Sequence, residues 1–161
     1  MKILYVCSEL FPFLKTGGLA DVSSGLSRAL QALGCDVRFA MPAFPSLAGA
    51  ATVTRSIGLL PSGSTPWGQA PVLPAVDVAL TTLPGCDVPL YMVRAASLYA
   101  RPGNPYLGPD GKDWDDNAQR FAALAQPAGE TLADHDRHVD AAGRPVGAGH
   151  DHHVERLLFR D

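Results

Sequence analysis

The chain has 161 residues, with 13 Lys and Arg against 16 Asp and Glu, a formal net charge of −3 with its five His taken as neutral. At roughly 150 residues per domain this is one domain, or one and a piece. An apolar share of 47% excludes a disordered chain, and the mild acidity argues against a nucleic-acid binder, which would carry a basic stripe.

Ile3 to Cys7 is a continuous apolar run, the pattern of a central parallel strand buried on both faces. A loop follows through Gly17-Gly18, and from Leu19 the period becomes helical, with Val22, Leu26, Leu30 and Leu33 on one stripe. Gly34 stands where a helix C-terminal glycine belongs, and Cys35 to Met41 reads as a second strand stopped by Pro42. Strand, loop, helix and strand form a βαβ unit, so the fold class is α/β: a Rossmann-like parallel sheet with flanking helices. Thr52 to Leu60, Val72 to Leu80 and Val88 to Val93 are further strands, separated by turns such as Leu83-Pro84-Gly85. Pro61 to Pro74 reads as an irregular connection, and Tyr99 to Lys112 as a Pro/Gly-rich loop. Asp113 to Asn117 offers N-cap candidates for a helix through Ala118, Phe121, Ala122 and Leu124, ended by Pro127 and Gly129.

The chain then changes character. Residues 130–161 hold 11 charged side chains, as many as residues 1–100, and all five His lie between His135 and His153. The expected division is a domain over 1–126 and an irregular tail over 127–161. The His150-Asp151-His152-His153 run, with His135 and His138, lacks the supported ligand set of a built metal site, so no metal is expected beyond adventitious binding. Three Cys without C-x-x-C spacing speak against a disulfide framework, and Cys7 reads as a small buried hydrophobe. The N-terminal apolar run is too short for a signal peptide, and the prolines between Ser56 and Val76 exclude a membrane span there. The expectation is a cytoplasmic, reduced protein that engages neither membrane nor nucleic acid.

Chemistry concentrates in Lys15-Thr16-Gly17-Gly18, at the C-terminal end of the first strand, where open parallel sheets bind ligands. Glycines let backbone N–H groups approach an anion, the helix N-terminus adds partial positive charge, and Lys15 adds a full one, which suits a diphosphate. The loop matches neither G-x-G-x-x-G nor the P-loop pattern. On spacing alone a tight turn beside a solvated lysine is an equal reading, and Glu9 and Asp21 read as surface acids, Asp21 complementing the helix dipole.

Val6-Cys7-Ser8-Glu9, Pro12, and Lys15-Thr16-Gly17-Gly18-Leu19-Ala20-Asp21-Val22 resemble the N-terminal signature of bacterial glycogen synthases and plant starch synthases. The likeness runs on through Met41 to Pro45, Leu98 to Tyr106, and Trp114 to Ala122. That family comprises retaining, ADP-glucose-using glycosyltransferases with two Rossmann-like domains, the GT-B fold. The resemblance implies transfer of glucose from ADP-glucose to the non-reducing end of an α-1,4-glucan, without cofactor or required metal. It implies that Lys15, Gly17 and Gly18 contact the donor phosphates and that Asp21, the candidate catalytic residue, lines the sugar site. Tyr99 and Glu9 follow as further substrate-binding candidates. The family's next strand with its H-A-H-D-W segment is not reproduced; His135-Asp136-Arg137-His138 lacks the apolar strand and the tryptophan. The second domain is also absent, so the resemblance points to an incomplete first domain, truncated or frame-shifted. The competing expectations are a non-catalytic nucleotide- or glucan-binding module and an inactive fragment.

Overall fold

A computed structural model describes residues 1–60 and 73–128. The tail over 129–161 with its histidines, most of the Pro61–Pro74 connection and Trp67 lie outside the described residues. Five strands, β1 (Lys2–Val6), β2 (Asp36–Pro42), β3 (Thr52–Leu60), β4 (Val76–Leu83) and β5 (Cys86–Arg94), form one sheet in the order β1-β2-β5-β4-β3. Four helices accompany it: α1 (Leu19–Ala32), α2 (Pro45–Ala50), α3 (Ala96–Tyr99) and α4 (Asn117–Gln126).

The β1–α1–β2 unit forms as its sequence dictates. Ile3 pairs with Val37 and Tyr5 with Phe39 in a parallel ladder, and α1 ends at a Gly34 with φ of 79°, a left-handed conformation that a Cβ disfavours. The sheet is mixed, however, not parallel throughout. β2 and β5 pair in parallel, whereas β3–β4 and β4–β5 are antiparallel. The reason is local: Pro84-Gly85, with Gly85 at φ 69°, joins Leu83 directly to Cys86, and so short a link can only join antiparallel strands. β4 begins at Val76, later than the apolar run predicts.

Side chains alternate across the pleat and give a core on each face. Val37, Phe39, Met41, Leu90 and Met92 pack with Cys7, Leu10 and Leu47 on one side. Ala40, Tyr91 and Val93 pack with Leu98, Tyr99, Ala123 and Leu124 on the other. Arg38 points into the second side without exposure, its guanidinium paired with Asp36 at 3.2 Å and donating to the Tyr91 hydroxyl at 3.2 Å.

Two local expectations are corrected. Most of the apolar stripe of α1 does not face the sheet: Val22 is 55% exposed and Leu33 79%, Leu30 alone of the stripe packs against the core, and Ala20, Ser23, Ser24 and Ser27 are buried. Small side chains let this helix sit close to the sheet, and the serines satisfy their hydroxyls on nearby backbone oxygens, Ser23 on Leu19 and Ser24 on Ala20 and Phe11. At the start of α4, Asp116 occupies the N-cap position without capping through its side chain. Its carboxylate is taken by Arg101 instead, one terminal guanidinium nitrogen lying 2.9 Å from both oxygens, a charge-assisted contact.

Candidate functional site

The site is built on the loop that leaves β1. Leu10 and Leu14 exchange backbone hydrogen bonds of 3.0 and 2.9 Å, and the Phe11 N–H donates to Ala20 O in α1, so the first half of the loop is fastened to the helix. The second half, Lys15 to Gly18, runs across the C-terminal end of β1 and enters α1. Gly18 is the N-cap residue and supplies no side-chain cap, which leaves the helix N-terminus without a side-chain acceptor. Neither Gly17 nor Gly18 has a left-handed φ, and a Cβ added to either would meet no atom of the described residues within 4 Å. Nothing among the described residues therefore demands glycine here. Their lack of a side chain matters only toward something that approaches the backbone from outside.

Lys15 and Asp21 come together over this loop. The Lys15 ammonium donates to Asp21 Oδ2 at 2.7 Å, with both side chains about half exposed. It also lies 5.6 Å from the Phe11 ring centroid. An exposed pair of this kind is worth about 0.2–1 kcal/mol, so an incoming anion can take the lysine at small cost.

Glu9 lies beneath the loop, only 2% exposed. Oε2 accepts from the backbone N–H groups of Thr16 at 2.7 Å and Gly17 at 3.2 Å. Oε1 accepts from the Thr16 hydroxyl at 2.7 Å and the Tyr106 hydroxyl at 2.8 Å. Burial pushes the Glu9 pKa up, but these donors prevail and hold it below the ordinary carboxylate range. A carboxylate whose pKa is depressed on folding adds stability that is present above its unfolded pKa and lost as pH falls through the folded value. Urea unfolding of wild type and Glu9→Gln across acidic pH is expected to show the two stability curves converging as pH falls.

Tyr99 is not brought to this loop. It is 2% exposed, its ring packs edge-on against Phe44 at 5.6 Å, and its hydroxyl donates to the Arg120 carbonyl at 2.7 Å. Sequence reasoning missed Ser8, Thr16 and Tyr106 as parts of the site. Tyr106 belongs to the segment after β5, where Asn104 Oδ1 accepts from the backbone of Tyr106 and Leu107, both at 2.8 Å. Gly103 sits at φ 120°, and a Cβ there would come within 2.7 Å of Leu107 O, so this turn does require glycine. Trp114 packs within the fold, with Arg101 4.3 Å and Arg120 5.0 Å from its ring. A separate cleft of about 310 Å³ between α1 and the β4–β5 turn is lined by Pro12, Ser27, Arg28, Gln31 and Asp87 among others, and by none of the predicted site residues. Among the described residues, no helix is long and apolar enough to cross a membrane.

A parallel βαβ unit with a lysine- and glycine-bearing loop at its strand ends defines a Rossmann-like α/β domain. The chain belongs to the starch synthase catalytic domain family, which it matches over residues 2–155. It is 62% identical over 132 residues to a glycogen synthase of Albidiferax ferrireducens, a span of 82% of this chain and 26% of that protein. It is 47% identical over 134 residues to glycogen synthase 1 of Methylococcus capsulatus, 83% of this chain and 25% of that one. In fold it is similar to the catalytic domain of starch synthase IV from Arabidopsis thaliana bound to ADP and acarbose, with a TM-score of 0.51, 20% identity, and coverage of 81% of this chain and 25% of that one. The chain thus spans about a quarter of the length of the curated relatives it matches.

Proposed function

We propose that this chain supplies the donor-phosphate half of a glucosyltransferase that moves glucose from ADP-glucose to the non-reducing end of an α-1,4-glucan with retention. The observation that carries this reading is the Lys15–Gly18 loop at the C-terminal end of β1, with unobstructed glycines and a helix N-terminus that no side chain caps. Family membership supports it, as do the relatives' names as glycogen synthases. Residues 1–126 are the module that binds the donor.

In this reading the diphosphate lies against the backbone N–H group of Gly18 and the first turn of α1, where aligned peptide dipoles favour negative charge, while the Gly17 N–H stays on Glu9 beneath the loop. Lys15 leaves Asp21 and turns its ammonium to a phosphate oxygen. That exchange frees the Asp21 carboxylate, a hydrogen-bond acceptor, for the hydroxyls of the glucosyl ring. Leaving-group charge develops on the phosphate as the glycosidic bond breaks, so Lys15 and the loop amides stabilise the transition state more than the ground state. A non-catalytic nucleotide-binding module is the second reading, since the loop offers anion-binding groups whether or not transfer follows.

Calorimetric titration with ADP tests the site. Binding is expected at roughly millimolar Kd, about −4 kcal/mol, weakening as salt rises. Asp21→Asn removes the carboxylate that competes for Lys15 and is expected to tighten ADP binding about two- to fivefold. A wild-type chain that takes up no ADP at ten times that concentration contradicts the proposal. Labelled glucose passed to glycogen by the chain alone would overturn the second reading.

A further inference from the structure

We infer that Tyr106, acting through the buried Glu9 carboxylate, is the positioning residue that sets the Lys15–Gly18 loop. The inference rests on the loop being the phosphate site proposed above, and it assigns Glu9 a different part from substrate contact.

A carboxylate can accept about four hydrogen bonds, and Glu9 already accepts four, two on each oxygen. At 2% exposure it has neither a free lone pair nor an open face for a ligand. What it has is a grip on two consecutive loop N–H groups, Thr16 and Gly17, and so on the backbone from which Lys15 and Gly18 project. A buried ionised group holds its partners firmly because releasing any of them strands the charge in a poorly solvated place.

Glu9 is in turn fixed from a distant part of the chain. The Tyr106 hydroxyl spends its one proton on Glu9 Oε1, so in its 2.8 Å contact with Ser8 Oγ the serine is the donor. Ser8 and Glu9 are thereby aligned from one phenol oxygen. Tyr106 cannot shift freely, because its ring stacks on Phe121 at 6.3 Å between centroids and its carbonyl accepts from Asn117 Nδ2 at 3.0 Å. The segment after β5 and the start of α4 therefore act on the loop after β1, across the intervening strand β2. Movement of that segment is passed, through one hydroxyl and one carboxylate, to the Thr16–Gly17 backbone from which Lys15 and Gly18 project.

Residue-resolved amide hydrogen exchange, paired with ADP titration, tests this. In the unliganded wild type, the Thr16 and Gly17 amides are expected to exchange more slowly than that of Gly18, which has no acceptor among the described residues. In Tyr106→Phe, which keeps the ring and its stacking, those two amides are expected to exchange about tenfold faster and ADP binding to weaken about fivefold, with the unfolding midpoint lowered as well because the buried carboxylate loses one of its four donors. Glu9→Gln, similar in shape but presenting an amide to the loop donors, is expected to raise the exchange of both amides further. A purely structural role predicts a lower unfolding midpoint in Tyr106→Phe with unaltered exchange at Thr16 and Gly17, and that result overturns the inference. So does a wild type in which Thr16 and Gly17 exchange as fast as Gly18, a reading that needs no variant to fold. Protected amides in a wild type that ignores ADP would sink the proposed function and leave the positioning intact.

Discussion

Lys15→Ala is expected to weaken ADP binding about ten- to a hundredfold, the loss of one charge-assisted contact to phosphate. The residue costs the fold almost nothing. Its ammonium sits on the surface in an exposed pair with Asp21, and its aromatic contact with Phe11 is long. The unfolding midpoint of the variant is therefore expected to match wild type while its titration is nearly flat. Equal ADP affinity in wild type and Lys15→Ala would remove the lysine from the site.

The largest effect on stability is expected at Phe39. This residue is fully buried in the strand that carries a parallel partner on each side, opposite Tyr5 of β1 and Leu90 of β5. Its ring meets Tyr5 edge-on with centroids 5.7 Å apart. Phe39→Ala is expected to cost about 3–5 kcal/mol through lost burial and the cavity left behind. That is a large part of the roughly 5–15 kcal/mol that holds a typical domain together. Chemical denaturation reads it directly, and Phe121→Ala supplies the contrast, since Phe121 is 43% exposed and its truncation loses far less apolar burial.

The parts legible in the sequence are those whose causes are local. The apolar run of β1, the glycine pair, the helical period of α1 and the left-handed Gly34 each declare themselves within a few residues, and the unit from Lys2 to Pro42 forms as they dictate. Strand direction in β4 and β5 is less legible, because it turns on the brevity of the Pro84-Gly85 link. The face of α1 that meets the sheet is only partly legible from periodicity: of the stripe Val22, Leu26, Leu30 and Leu33, Leu30 packs against the core while the others are exposed, and the buried side is that of Ala20 and the serines. The proposal of an anion site in the loop rests on residue types and place. The loop's support from Glu9 does not, since Tyr106 lies 97 positions away and no local pattern couples them. Asp116 shows the same limit, for a good N-cap residue is claimed by an arginine brought near only by folding.

The most direct measurement is the change in backbone amide NMR positions on adding ADP, compared with adenosine at the same concentration. If the loop holds the diphosphate, Thr16, Gly17, Gly18 and Leu19 move with ADP and stay in place with adenosine. Shifts of equal size with both ligands, or shifts confined to residues away from the β1–α1 loop, would contradict a phosphate site there.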